Sequence, residues 1–210
     1  MNIHEVKMSV SKATHDRLQS VSQATHDGLE KVGSELARVG RGTLAGLIAG
    51  AFAAYVMNRY VEIESRPARV RQDEQARRER GEQVPAADPV DPENQPTVKV
   101  AQKVSRKLFD HELGDVEKKA AGPVVHYGYA AAVGALYGGL AEIVPGVGAG
   151  LGVPYAALLW LGGDEIALPA LGLTDPPHKI AAEKHVSQLA THFVYGLTLD
   201  IGRRILRRLL

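Results

Sequence analysis

No cysteine occurs among the 210 residues, which excludes disulfides, thiolate metal sites and cysteine nucleophiles and leaves the compartment open. Catalytic signatures are also missing: there is no nucleophile elbow, no P-loop and no HExxH. No cleavable leader is expected, because the first 41 residues are polar and the first apolar run, starting at Gly42, would act as an uncleaved signal anchor. Charge is absent from two long stretches. Gly122 to Ala141 contains no Asp, Glu, Lys or Arg, Glu142 interrupts, and Ile143 to Gly163 is again uncharged. Each stretch is about 20 residues, the length of α-helix that crosses about 30 Å of hydrocarbon.

Averages conceal this segregation. A net charge of +1 and a slightly negative mean hydropathy would suit a soluble domain. The charged residues, however, fall in the first 41 positions, between Glu62 and Lys119, and at the C-terminus. The expected fold is therefore all-α: a membrane helical bundle of three to four transmembrane helices, with an amphipathic N-terminal arm and a charged, Pro-rich linker.

The arm, residues 1–41, is built on an eleven-residue repeat: IHEVKMSVSKA, THDRLQSVSQA and THDGLEKVGSE, starting at Ile3, Thr14 and Thr25. Eleven residues make almost three helical turns, so equivalent positions stay nearly in line. Val10, Val21 and Val32 align, Leu18 and Leu29 lie beside them, and Leu36 and Val39 extend the stripe. One amphipathic helix is expected, suited to a helical partner, a second copy of itself or a membrane surface. His4, His15 and His26 occupy another flank with Glu5, Asp16 and Asp27. Equivalent histidines are about 16 Å apart along a helix and cannot share a metal, so they read as solvated histidines beside acidic neighbours.

Residues 42–61 form the first expected span, in which Gly46 and Gly50 make a small-xxx-small pair that lets another helix approach closely. Residues 62–120 follow as a linker, first charged and then broken by prolines at 85, 89, 92 and 96. Its basic residues are interleaved with acidic ones and lack aromatic neighbours, which argues against nucleic acid and for a solvated or headgroup-facing helix. Thr97 to Ala120 reads as a second amphipathic helix, with Val100, Val104, Leu108 and Phe109 on one side.

The membrane core is expected at 121–210, with spans at about 122–143, 146–163 and 186–205. In the first of these, Gly128, Ala131, Ala135 and Gly138 follow at steps of three and four and lead to Glu142. That face is a groove for a neighbouring helix with an inward carboxylate at its end. His192 or the hydroxyls of Tyr137 and Tyr195 are the expected partners of Glu142, while His126 and Tyr137 share a different face. After the PGVGAGLG turn the next span carries Trp160 near the interface and ends before Asp164 and Glu165. Residues 164–177 hold an apolar stretch too short to cross, expected to be re-entrant or interfacial. The last helix has His192, Gln188 and Tyr195 on adjoining faces, and Asp200 can pair with Arg203 or Arg204 one turn on.

Three stretches of this core, AGPVVHYGYAAAVGALYGGLAE at 121–142, WLGGDEIALPALGLTDPP at 160–177 and THFVYGLTLDIGRRILR at 191–207, resemble the YagU-like family of small bacterial inner-membrane proteins. GLIAGAFAAYVMN at 46–58 is similar to that family's opening span. The resemblance implies a multi-pass protein of the bacterial inner membrane, in a family with no established activity. The repeats and the long charged linker depart from the family pattern and point to an assembly role of their own.

Two functions follow as expectations. The first is a non-catalytic scaffold or accessory subunit, in contact with the bilayer and with a second copy or a membrane-protein partner, without cofactor, metal or nucleic acid. The second is a small proton- or ion-coupled conduit using Glu142, Asp164, Glu165, His126 and His192, since ionisable residues within a membrane are costly unless they serve a purpose. An enzyme ranks third: a metal site of His126, His192 and Glu142 requires that the fold gather all three. The RRILRR tail favours a cytoplasmic C-terminus, whereas the Arg-rich flank after Arg59 pulls the other way.

Overall fold

The computed structural model describes the backbone of residues 3–80 and 96–210, and the side chains of residues 15, 17–65 and 96–210. The prolines at 85, 89 and 92 and the side chains of His4, Val10 and the Arg-rich stretch after Ser65 lie outside the described residues. All regular structure among the described residues is helical: α1 (Ile3–Arg80), α2 (Pro96–Phe109), α3 (Asp115–Ile143), α4 (Val153–Leu159), a π-helix (Trp160–Ala167), the single turn α5 (Leu168–Ala170), a 3-10 turn (Pro177–Lys179) and α6 (Ala182–Leu209). The contacts divide the chain into two compact units, residues 1–40 and 41–210.

In the first unit the eleven-residue repeat winds as α-helix. Its apolar stripe is exposed: Leu18, Val21, Leu29, Val32 and Leu36 are all more than half accessible. Short local bonds hold the polar flank, Thr25 Oγ1 donating to the Val21 carbonyl and Gln19 lying 3.0 Å from His15.

The second unit is organised by close backbone contact between α1 and α3, which run antiparallel. Gly42, Gly46 and Gly50 of α1 lie against Glu142, Gly138, Gly134 and Ala130 of α3. A Cβ added at Gly134 would meet Gly50 Cα at 2.8 Å, and one at Gly50 would meet Gly134 Cα at 3.0 Å, so neither helix can carry a side chain there. Ala45, Ala49, Ala53 and Ala54 continue the buried face of α1. The row on α3 is thus Ala130, Gly134, Gly138 and Glu142. Gly128 lies off it, exposed with open space around its Cα, and Ala131 and Ala135 are half-buried beside it.

Helix α6 runs parallel to α3 and the α4 to π-helix segment antiparallel to both. A row of small residues leaves α3 carbonyls within reach of neighbouring side chains, and two tyrosines use them: Tyr155 donates to the Val133 carbonyl at 2.7 Å and Tyr195 to the Ala130 carbonyl at 2.7 Å. Gly152, with φ +77°, sits at the start of α4 where a side chain would be strained, and its carbonyl side packs against Gly196 of α6. A Cβ on Gly196 would lie 2.7 Å from Ala156 Cβ.

The helix expected to stop at Gly163 does not. WLGGDEIA widens into a π-helix, with Leu168 N–H reaching back to the Gly163 carbonyl, and helical structure continues to Ala170. Asp164 and Glu165 therefore lie within a helix. Inserting a π-turn rotates the following side chains relative to an α-helical path, and here it turns both carboxylates toward α6.

Burial is inverted in size. Inside are mostly alanine and glycine, with Tyr137, Tyr195, Leu199, Asp200, Arg203, Val98 and Leu173 as the larger exceptions. Outside are Leu47, Ile48, Phe52 and Tyr55 of α1, Val124, Tyr129 and Leu136 of α3, Leu158 and Leu161, and Ile201 and Ile205 of α6. Among the described residues one helix, Arg17–Ser65, is long and apolar enough to cross a membrane by length and composition. Helices α3 and α6 have the length, but glycine, tyrosine and histidine take the place of aliphatic residues.

Candidate functional site

Two groups of ionisable residues stand at opposite ends of the second unit. The first begins on α6, where spacings of three and four residues place Asp200, Arg203, Arg204 and Arg207 along one side. Asp200 is fully buried. Its Oδ1 accepts from Tyr137 Oη at 2.9 Å and from Arg203 Nη2 at 3.2 Å, and its Oδ2 accepts from Arg204 Nε at 2.7 Å. Arg204 also donates to the Gly148 carbonyl at 2.7 Å, tying the glycine-rich turn to α6.

Glu142 joins this group. Arg207 Nε donates to its Oε1 at 2.8 Å, and Arg203 Nη1 lies 3.7 Å from the same oxygen. The expected partners His192, Tyr137 and Tyr195 are replaced by two arginines, because α6 runs parallel to α3 and brings its basic end level with Glu142. Arg203 lies between both carboxylates with its guanidinium carbon 5.7 Å from the centre of the Tyr137 ring. Asp200 and Glu142 are thus each met by two guanidiniums, the condition for keeping buried carboxylates charged, while Arg203 Nε stays buried without a hydrogen-bond partner.

The second group gathers where the π-helix meets α6. Glu165 Oε1 is 2.6 Å from His185 Nδ1, whose other nitrogen lies 3.1 Å from the Pro177 carbonyl. Asp164 Oδ2 is 3.7 Å from His192 Nε2, and His192 Nδ1 lies 2.9 Å from the Gln188 carbonyl. Ser187 Oγ donates to both oxygens of Glu64 at 3.0 and 3.1 Å, linking α6 to α1. His126 packs edge-on to Tyr127, and its Nε2 is buried without a hydrogen-bond partner.

The fold does not gather His126, His192 and Glu142 into one site. His126 and Glu142 are sixteen residues apart on α3, about 24 Å by helical rise, and Glu142 is held by arginines while His192 faces Asp164. In the arm, His26, Asp27 and Glu30 bring ligand-type atoms within 4.8 Å of one another, all exposed. The pairing of Asp200 was readable from local spacing. That of Glu142 with Arg207 was not, since 65 positions separate them and only the helix directions bring them together.

Residues 64–201, about two-thirds of the chain, match the family described as Protein of unknown function (DUF1440). The chain belongs to the DUF1440 family. Within the match lie α2, α3, the π-helix and Asp200, whereas the glycines of α1 and Arg203, Arg204 and Arg207 fall outside it. The match names an uncharacterised family, and the narrower likeness to YagU-like proteins stays a likeness of residues. No curated protein and no solved structure matches the chain.

Proposed function

We propose that this DUF1440 protein is a multi-pass membrane protein without catalytic chemistry of its own, a scaffold or accessory subunit that packs against other helices. The observation that carries the reading is the inverted burial. Large aliphatic and aromatic side chains surround unit two while alanine and glycine fill it. In water that distribution would waste the hydrophobic effect and expose far more apolar surface than a soluble monomer tolerates. In lipid, where tails are as apolar as leucine, close packing of small residues is what drives helices together. Four passes are proposed: residues 42–61, 122–143, the α4 to π-helix segment, and α6 from about 186 to 205. The likeness to YagU-like proteins supports a bacterial inner membrane.

The paired state of Glu142 and Asp200 favours the scaffold. A carboxylate that carries protons must be free to lose its counter-charge, and both of these are fixed by arginines on the neighbouring turn or helix. A test is the alkaline carbonate wash of membranes. Retention in the pellet supports the reading, and release without detergent overturns it.

One observation favours the conduit reading. Asp164 with His192 and Glu165 with His185 face each other within hydrogen-bond or ion-pair reach, near His126, whose Nε2 is buried without a hydrogen-bond partner. Proton flux across a pH gradient in proteoliposomes separates the two. Flux by the wild type that disappears in Asp164→Asn at matched protein level favours the conduit; no wild-type flux leaves the scaffold.

A further inference from the structure

The structure holds a cavity of about 590 Å³ between α2 and the start of α3, lined among the described residues by Lys99, Lys103, Arg106, Lys107, Lys118 and a single carboxylate, Glu112. Four of the five cations come from α2 at spacings of three and four residues, which places them on one helix face. Glu112 is occupied by Arg106 at 2.6 Å, and Lys103 donates to the Leu171 carbonyl at 3.3 Å. Lys99, Lys103 and Lys107, four residues apart on that face, repel one another, and an anion among them would relieve the repulsion. Gln102 Oε1, in the same lining, is buried with no hydrogen-bond partner. Turned about its last torsion, that amide presents an N–H₂ donor in the same place.

The setting of the cavity narrows the class of anion that would suit it. Beside the cationic face of α2 lie Val104, Leu108 and Phe109, and near it Val116 of α3, of which Phe109 and Val116 are 75% and 82% exposed. The contact of Lys103 with Leu171 puts α2 at the end of unit two where the apolar helices give way to charged residues. A soluble phosphate compound has no use for the apolar flank. A phospholipid uses both, its headgroup in the cavity and its acyl chains along the exposed side chains. We propose that this cavity is a binding site for the phosphate headgroup of an acidic phospholipid. The proposal rests on the membrane reading and names the lipid class that its surface selects.

The test uses the full chain, purified in a neutral detergent and titrated with phosphatidylglycerol or phosphatidylcholine, with retained lipid counted by native mass spectrometry. Each basic residue near an anionic headgroup is worth on the order of fivefold in affinity. The triple variant Lys99→Gln, Lys103→Gln, Lys107→Gln should therefore retain phosphatidylglycerol on the order of a hundredfold less well than the wild type. Glu112→Gln, which releases Arg106 and keeps every cation, should retain it several-fold better. Comparable helix content and thermal midpoint show that the variants remain folded; if the triple variant unfolds, Glu112→Gln alone decides by the direction of its shift. Equal retention of the two lipids by the wild type, or no change in either folded variant, would overturn the site. Displacement of phosphatidylglycerol by millimolar inorganic phosphate would make the occupant a soluble phosphate and overturn the lipid assignment. Since binding is read in detergent, its failure is distinct from failure of the carbonate wash.

Discussion

Gly46 and Gly138 exclude a side chain from each other: a Cβ on Gly46 would lie 2.9 Å from Gly138 Cα, and a Cβ on Gly138 would lie 2.9 Å from Gly46 Cα. Backbone cannot give way as a flexible side chain can, so Gly46→Leu or Gly138→Val must separate α1 from α3. Overpacking usually costs about 1–3 kcal/mol, and these positions should reach the top of that range in unfolding by denaturing detergent. Gly128→Ala, with open space around it, should be neutral or slightly stabilising, as expected for a helical glycine free of contacts. An equal loss at Gly128 and Gly138 would contradict the packing.

Removing one member of the buried charge group should cost more than removing a surface charge. Asp200→Ala leaves Arg203 buried beside one remaining carboxylate, and breaking such a pair costs about 3–5 kcal/mol. Tyr137→Phe removes one hydrogen bond to a carboxylate, about 1.5–3 kcal/mol. Arg208→Ala, at an exposed position, should change little. Midpoints of detergent unfolding for the three variants check this order.

Two groups that themselves lie outside the proposed spans, His185 and Glu117, set a pH dependence. The Glu165 carboxylate, and after it the Pro177 carbonyl, hold the His185 imidazole above the usual histidine range. That contribution is fully present below the unfolded pKa of about 6.5 and is lost as pH rises through the higher folded value. For Glu117 the Gly114 N–H, donating at 2.7 Å, and then His111 hold the carboxyl below its usual range. Its contribution is present above the unfolded pKa of about 4.3 and is lost as pH falls through the lower folded value. Relative to the wild type, His185→Gln should flatten the stability profile on the alkaline side and Glu117→Gln on the acid side, as read by thermal midpoints across pH.

The exposed stripe of Leu18, Val21, Leu29 and Val32 predicts that the arm binds. A peptide of residues 1–41 should gain helix, by circular dichroism, with rising concentration or with anionic vesicles. Failure to gain helix under either condition would make the arm a solvated tail. Leu18→Glu with Leu29→Glu should abolish the gain.

Much of this architecture was legible in the chain because helical periodicity is local. The repeat of the arm, the Gly46 and Gly50 pair, the step from Gly138 to Glu142 and the pairing of Asp200 with Arg203 and Arg204 all depend on residues within a few turns of one another. Which glycines of α3 touch α1 was less legible. Gly128, Ala131 and Ala135 offer small residues at helical steps as good as those of Ala130 and Gly134, and only the crossing of two helices chooses between them. The π-helix was hidden too, since Gly162, Gly163 and two acids read as a stop when extra backbone width is not considered. Asp164 and Glu165 consequently moved from the start of a re-entrant or interfacial segment to a helix face, where they meet His192 and His185.

The central claim, that unit two crosses a bilayer in alternating directions, is open to a direct measurement because the chain has no cysteine. Single cysteines at exposed Ala149 and Leu210 lie at the Glu142 end of the bundle, and at exposed Lys179 and Lys184 at the opposite end. A membrane-impermeant thiol reagent applied to right-side-out and inverted vesicles should label Ala149→Cys and Leu210→Cys from one side only, and Lys179→Cys and Lys184→Cys only from the other. Labelling of all four from the same side of sealed vesicles would contradict the account.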